Sequence, residues 1–188
     1  MEMNNSLDEH LATVIEVLLS NAGYQVVPTG IKKTIRELWT QRMMSSYVDL
    51  VHPRLRSIPD LFVLGLRAHQ SWLTDVKFRR YIHPFLCDDL WPVQKEWAPF
   101  TLILAVAEPP EDWTNSARHI RVFQVNSETK LTKRFLLEGG LGLGEVFTRV
   151  RAHELRKAQG AILRIASGSG KPPGSTRSRL TRTPVPRR

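Results

Sequence analysis

The sequence has little of what several classes of protein require. One cysteine, Cys87, is present among 188 residues, which excludes an internal disulfide and a cysteine-rich zinc site. The longest apolar run, residues 100–107, is much shorter than the roughly 20 residues of a transmembrane helix. The first ten residues lack the basic and apolar regions of a secretory signal. We therefore expect a cytoplasmic protein that does not associate with membranes.

Acidic residues are missing from the last 18 residues, which contain six of the nine net positive charges. From Ser167 onward Ser, Gly, Pro and Arg predominate, and a segment with so few apolar residues is expected to be disordered. The sequence thus predicts an α/β domain over residues 1–166 and a disordered basic tail over 167–188. Such a tail suits a polyanionic partner such as DNA or RNA, or serves only solubility. The tail residues expected to bind nucleic acid are Lys171, Arg177, Arg179 and Arg182.

Hydrophobic periodicity predicts a central mixed sheet flanked by helices, with boundaries uncertain by ~2–4 residues. Ser6 and Glu9 form a Ser-x-x-Glu capping box that places the start of the first helix, and Gly23 is expected to end it. The glycines of residues 139–144 are interpreted as a flexible joint before the last helix. The expected helices are 7–22, 32–44, 84–97 and 145–165, and the expected strands are 24–27, 47–51, 60–66, 71–79, 100–107 and 119–125.

Two short motifs in neighbouring strands carry most of the functional information. Pro59-Asp60 opens one apolar run, and Asp75-Val76-Lys77 lies in the next. Because residues i and i+2 of a strand point to the same face, Asp75 and Lys77 should project together, away from the core side of Val76. A hairpin with a short turn would bring Asp60 beside them.

This set of groups suits the hydrolysis of phosphodiester bonds. Mg²⁺ prefers oxygen ligands and keeps several water molecules, so Asp60, Asp75 and the carbonyl of Val76 are candidate ligands. A bound cation lowers the pKa of its water and neutralises developing charge. Lys77 would orient that water or stabilise charge on the phosphate. Mn²⁺ is expected to substitute for Mg²⁺.

Over residues 7–125 the order of elements and the residues Pro59, Asp60, Asp75 and Lys77 resemble the PD-(D/E)XK nuclease superfamily. This superfamily includes restriction endonucleases, Holliday-junction resolvases and the end-cleaving subunits of some transposons. The resemblance implies a restriction-endonuclease-like core, a metal-dependent DNA endonuclease activity, and action as a homodimer or with a partner protein in a nucleoprotein complex. Asp75 stands where the family most often has Glu.

The resemblance also implies accessory residues. Many members contribute an acid from the first helix; Glu9 and Glu16 are weak candidates because both fall opposite its apolar stripe. Asp8 flanks that stripe but falls in the first predicted turn, where the helix dipole alone favours an acid. Gln94, on the helix after the Lys motif, is a candidate for binding a phosphate or a metal-bound water.

Arg79 and Arg80 follow the motif and are candidates for contacting the DNA backbone. Alternatives to an active site stay open. The chain can be a basic interaction protein whose tail binds RNA or DNA and whose body is a scaffold. Asp75 and Lys77 can form an ion pair on an exposed strand with no catalytic role. The same fold can also serve as an inactive subunit that binds nucleic acid or assembles within a nucleoprotein complex.

Overall fold

A computed structural model describes residues 2–29, 52–65, 69–113 and 119–167. The predicted helix 32–44, the predicted strand 47–51 and the tail beyond Ser167 lie outside these residues. The six described helices are α1 (Glu2–Asn21), α2 (Pro53–Arg56), α3 (Phe85–Trp97), α4 (Lys133–Glu138), α5 (Leu143–Val146) and α6 (Ala152–Ala166). The six described strands are β1 (Gln25–Pro28), β2 (Leu61–Gly65), β3 (Gln70–Arg79), β4 (Phe100–Val106), β5 (Ile120–Val125) and β6 (Leu141–Gly142).

The strands form one mixed sheet in the order β1-β2-β3-β4-β5-β6. Neighbours are antiparallel except β3 and β4, which are parallel. A parallel pair needs a crossover connection, and here α3 supplies it. The predicted hairpin between β2 and β3 is confirmed, with Leu61 opposite Thr74. The predicted α/β architecture with a mixed central sheet is therefore confirmed.

Helices cover both faces of the sheet, because β4 is apolar on both sides. All seven of its residues are buried. Ile103 and Ala105 join a core beneath α1 and α6, whereas Leu102 and Leu104 join a second core beneath α3 and α4. A strand covered on both faces reads as a continuous apolar run, as this one does. The helix α3 begins after Pro84, as predicted, and continues past Pro92 to Trp97.

The first helix begins earlier than its capping box indicated. Because α1 starts at Glu2, Ser6 lies inside the helix and the predicted N-cap is wrong. The C-terminal prediction is confirmed. Gly23 has φ +83°, its N–H donates to the carbonyl of Ser20, and the N–H of Tyr24 donates to the carbonyl of Leu19. This is a Schellman ending, in which glycine avoids the steric cost of a left-handed backbone.

Two predictions near the C-terminus are corrected. The glycine-rich segment is not merely a joint, because Leu141 and Gly142 form β6 and pair with β5. The single helix over 145–165 is instead two helices, α5 and α6, separated at residues 147–151. Phe147 and Val150 in this break are buried in the core beneath α1, so burying them overrides the local helical propensity. No helix among the described residues is long and apolar enough to cross a bilayer.

Two glycines should respond oppositely to alanine. At Gly140 the φ is +83° and an added Cβ would lie 2.9 Å from the ring of Phe123, so Gly140→Ala should destabilise the fold by ~1–3 kcal/mol. Gly160 lies within α6 with nothing inside 4 Å of an added Cβ, so Gly160→Ala should stabilise by ~0.5–1 kcal/mol. Urea unfolding of both variants measures the two changes in the free energy of unfolding. Equal effects of the same sign would contradict the described backbone.

Candidate active site

Among the residues that the structure describes, no strand pairs with one edge of β3 over its second half. Pairing with β2 stops where Leu61 faces Thr74, while β3 continues to Arg79. Backbone groups of alternate residues point to opposite edges of a strand. The carbonyl of Arg79 accepts from the N–H of Ala107 on the β4 side. The N–H and C=O groups of Val76 and Phe78 therefore point to the side that β2 leaves open.

Carboxylates from two other elements accept the exposed N–H groups of this edge. The N–H of Val76 donates to Oδ2 of Asp60 at 2.9 Å, and the N–H of Phe78 donates to Oδ1 of Asp8 at 2.6 Å. Asp60 is held in place because its own carbonyl accepts from the N–H of Thr29, just past β1. The end of β1 and the start of α1 thus position two acids along one strand edge.

Asp75 and Lys77 form a close ion pair on one face of β3, as the period of the strand predicted. Nζ of Lys77 lies 2.8 Å from Oδ2 of Asp75, and the two side chains are 16% and 3% exposed. On the other face, Val76 and Phe78 are buried in the core beneath α1. The pair is therefore not the solvent-exposed ion pair of the simplest alternative, and its desolvation carries a cost that a surface pair avoids.

The pKa of Asp60 is raised from 3.8 to about 6. Burial is the largest cause, since it disfavours the charged form. Lys77 and the N–H of Val76 act in the opposite direction, and the neighbouring Asp75 carboxylate raises the pKa further. Asp60 therefore keeps its proton up to about pH 6, and above that pH its negative charge is repelled by Asp75.

The pKa of Lys77 is raised above its ordinary value. Burial alone would lower it, but the carboxylates of Asp75, Asp60 and Asp8 outweigh burial. Lys77 is therefore an ammonium ion at neutral pH. It can donate hydrogen bonds and stabilise negative charge, but it cannot serve as a general base.

Asp8 is the residue of this cluster that the sequence prediction passed over. Besides the N–H of Phe78, it accepts from one guanidinium nitrogen of Arg79, at 3.0 and 3.2 Å from its two oxygens. The other terminal nitrogen of Arg79 donates to Asp89 of α3. Burial raises the pKa of Asp8, although Lys77 and Arg79 oppose the rise. Because α1 starts at Glu2, Asp8 is in its second turn and shares a stripe with the buried Ala12 and Ile15.

The predicted accessory residues lie elsewhere. Of the acids in α1, the structure brings Asp8 to β3; Glu9 is exposed and Glu16 half-buried. Gln94 is also placed differently from the prediction. It is buried, and its side-chain nitrogen donates to the carbonyls of Asn126 and Thr129 at 2.7 Å each. Its amide therefore clamps a loop after β5 and does not face the acids of β3.

The two arginines after the motif differ from each other. Arg79 is held between Asp8 and Asp89, so it serves to join α1, β3 and α3. Arg80 is 76% exposed and pairs with Glu108, which leaves it at the surface beside the motif. The tail residues Lys171, Arg177, Arg179 and Arg182 lie outside the described part of the chain.

The cluster has an excess of acidic groups and several oxygen atoms that can bind a cation. Four carboxylates (Asp8, Asp60, Asp75 and Asp89) surround two cations (Lys77 and Arg79), so negative charge is in excess when all are ionised. Within the described ranges, no group of three or more His, Cys, Asp or Glu side chains forms a metal-binding arrangement. Two carboxylates, one backbone carbonyl and water form the kind of ligand set that Mg²⁺ accepts.

Comparisons with protein-family models, with curated proteins and with solved structures find no match to this chain. The residues of the cluster are therefore the basis for inferring its chemistry. Asp60 and Asp75 offer oxygen ligands, Lys77 offers a fixed positive charge, and the carbonyl of Val76 faces the same open edge. Asp8 differs from them, since its two oxygens already accept from Phe78 and Arg79.

The raised pKa of Asp60 predicts a pH-dependent stability. Unfolded Asp60 loses its proton near 3.8, but folded Asp60 keeps it until about 6. The unfolded state therefore binds fewer protons in this window, and stability falls as pH rises through it. In EDTA, the stability of wild type relative to Asp60→Asn should fall by roughly 1–3 kcal/mol between pH 4 and pH 7. Urea unfolding across this range measures the difference in unfolding free energy between the two proteins. A difference that does not change with pH would contradict the raised pKa of Asp60.

Proposed function

We propose that the chain is a metal-dependent nuclease that hydrolyses phosphodiester bonds of DNA at the open edge of β3. The single observation that carries the proposal is the convergence of Asp60, Asp75 and Lys77, which come from two strands of a hairpin and meet in a partly buried cluster. The mixed sheet with α1 on one face and α3 joining its two parallel strands is consistent with a restriction-endonuclease-like core. We favour DNA over RNA as the substrate because most of the nuclease families that the motif resembles act on DNA.

Asp60 and Asp75 would hold one Mg²⁺ or Mn²⁺ together with the carbonyl of Val76. The cation supplies Lewis acidity and lowers the pKa of a bound water. One ion is favoured over two, because Asp8 already accepts from Arg79 and Phe78 and so has less capacity to serve as a ligand. Asp8 instead positions β3 against α1.

Each side chain has a role that follows from its charge state. Lys77 remains protonated, so it orients the attacking water or stabilises the negative charge that develops on the phosphate oxygens. Asp60 must lose its proton to bind a cation, which links its raised pKa to metal binding. Water adds to phosphorus, the bond from phosphorus to the leaving oxygen breaks, and that oxygen takes up a proton.

A catalytically inactive subunit is a second candidate, and one contact favours it. Lys77 already occupies one oxygen of Asp75, so the pair can be a purely structural link. In that case the fold would bind nucleic acid or assemble within a nucleoprotein complex without cutting. A homodimer or a partner protein is compatible with both candidates.

Asp60→Asn separates the two candidates without the ambiguity of a misfolded variant. The substitution removes a buried charge and keeps an oxygen that can accept from Val76, so the variant should be at least as stable as wild type at pH 7.5. It should nevertheless cut plasmid or branched DNA roughly a hundredfold more slowly in Mg²⁺, because a metal ligand is lost. Lys77→Met should lose activity similarly.

Lys95→Ala is the matched control, because Lys95 is an exposed lysine on α3. Its cleavage rate should equal that of wild type. Cleavage that persists at the wild-type rate in both Asp60→Asn and Lys77→Met would exclude this site. The absence of any cleavage by wild type in Mg²⁺ or Mn²⁺ would favour the inactive subunit.

A further inference from the structure

Three aromatic rings follow directly after the strand that carries the candidate site. Tyr81, His83 and Phe85 alternate with buried or proline positions between β3 and the first residue of α3. The centroids of Tyr81 and His83 are 6.1 Å apart at an angle of 61°, and those of His83 and Phe85 are 4.6 Å apart at 29°. We call these three residues the aromatic ladder.

The ladder is exposed to an extent that is unusual for such side chains. Tyr81 is 56% exposed and Phe85 69%, the highest value among the large apolar side chains described. Aromatic residues of this size generally contribute to a core, as Phe123 and Phe147 do here. Two exposed rings on either side of the half-buried His83, a few residues after a candidate site, indicate a surface that is covered when a ligand binds.

The backbone of the ladder is anchored to the core at two points. Ile82, between the first two rings, and Leu86, directly after the third, are buried in the core beneath α3. The N–H of Phe85 donates to Nδ1 of His83, which orients that ring over Phe85. The carbonyl of His83 accepts from the N–H of Leu86, within the first turn of α3. These contacts arrange the rings in the absence of a ligand.

We propose that the aromatic ladder binds unpaired nucleobases, so that the substrate of the site is DNA with a single-stranded segment beside the scissile phosphate. This inference rests on the proposed function. Every base has a π face, so exposed ordered rings bind single strands with little sequence preference. The bases of an intact duplex are already stacked on each other and do not offer these faces.

Position along the chain connects the ladder to the site. Tyr81 lies four positions after Lys77, so their Cα atoms are at most ~14 Å apart. Arg80, between them, is 76% exposed and pairs with the exposed Glu108, so it contacts a phosphate of the same strand only by leaving that pair. A single strand that stacks on the ladder would therefore have to span only a few nucleotides to reach Asp75.

A binding experiment in the Asp60→Asn background, with EDTA in the buffer, tests the ladder without cleavage. Three DNAs of matched sequence are compared by fluorescence anisotropy: a blunt duplex, the same duplex with a single-stranded flap, and the single strand. Phe85→Ala should weaken binding of the flap and the single strand about fivefold or more and leave the blunt duplex unchanged. Tyr81→Ala should act in the same direction, and Phe85→Trp should restore the affinity.

Trp91→Ala is the matched control, since Trp91 is a 60% exposed aromatic residue on the same helix and lies outside the ladder. It should change none of the three affinities. Equal weakening on all three DNAs, or no weakening on any, would overturn the ladder as a base-binding surface. Phe85→Ala can also change the sedimentation coefficient of the protein without weakening its binding of the single strand. That result would assign the rings to a protein interface and would overturn the proposed base-binding role of the ladder.

Failure of the inference and failure of the proposed function give different results. If wild type cuts blunt duplex and flap DNA at equal rates, and Phe85→Ala changes neither, the nuclease assignment holds and the ladder inference is wrong. If Phe85→Ala weakens only single-strand binding but wild type cuts nothing in Mg²⁺ or Mn²⁺, the rings bind bases and the nuclease assignment is wrong.

Discussion

The edge of β3 beyond Thr74, which no described strand pairs with, is the constraint on which the rest of the candidate site depends. Backbone N–H groups that leave a sheet need acceptors, because water reaches them poorly inside a fold. At Val76 and Phe78 the acceptors are the carboxylates of Asp60 and Asp8. The need for hydrogen bonds along one edge thus gathers acids from separate elements, and Lys77 and Arg79 are needed to hold those acids together.

The gathered charges do not stabilise the fold in proportion to their number. A buried ion pair such as Asp75–Lys77 recovers little more than its desolvation cost, and an apolar pair of equal size is often as stable or more so. The raised pKa of Asp60 is a direct sign of that cost. The two apolar cores on either side of β4 offset it. An arrangement that is unfavourable for stability is characteristic of sites arranged for chemistry, where perturbed pKa values concentrate.

Local sequence patterns predicted that Asp60, Asp75 and Lys77 lie together, but they missed Asp8 and the contacts of Gln94. The period of β3 and the hairpin with β2 were sufficient to place Asp60, Asp75 and Lys77 together. Asp8 was missed because the capping box at Ser6 and Glu9 put the helix start too late, which made a second-turn acid look like a first-turn one. Gln94 lies on the predicted helix, but its partners, Asn126 and Thr129, follow β5, and this long-range contact leaves no local signal. The break between α5 and α6 has the same origin, since it is set by the burial of Phe147 and Val150.

The most direct test of the account is to locate a bound cation. Crystals of the protein soaked in Mn²⁺ should give an anomalous difference peak within ~2.0–2.4 Å of carboxylate oxygens from both Asp60 and Asp75 and of the carbonyl of Val76, with Nζ of Lys77 displaced from the ion. A single peak is expected there. Ordered density for these side chains with no peak between them at saturating Mn²⁺, and with Lys77 still paired to Asp75, would contradict a metal-dependent site at this edge.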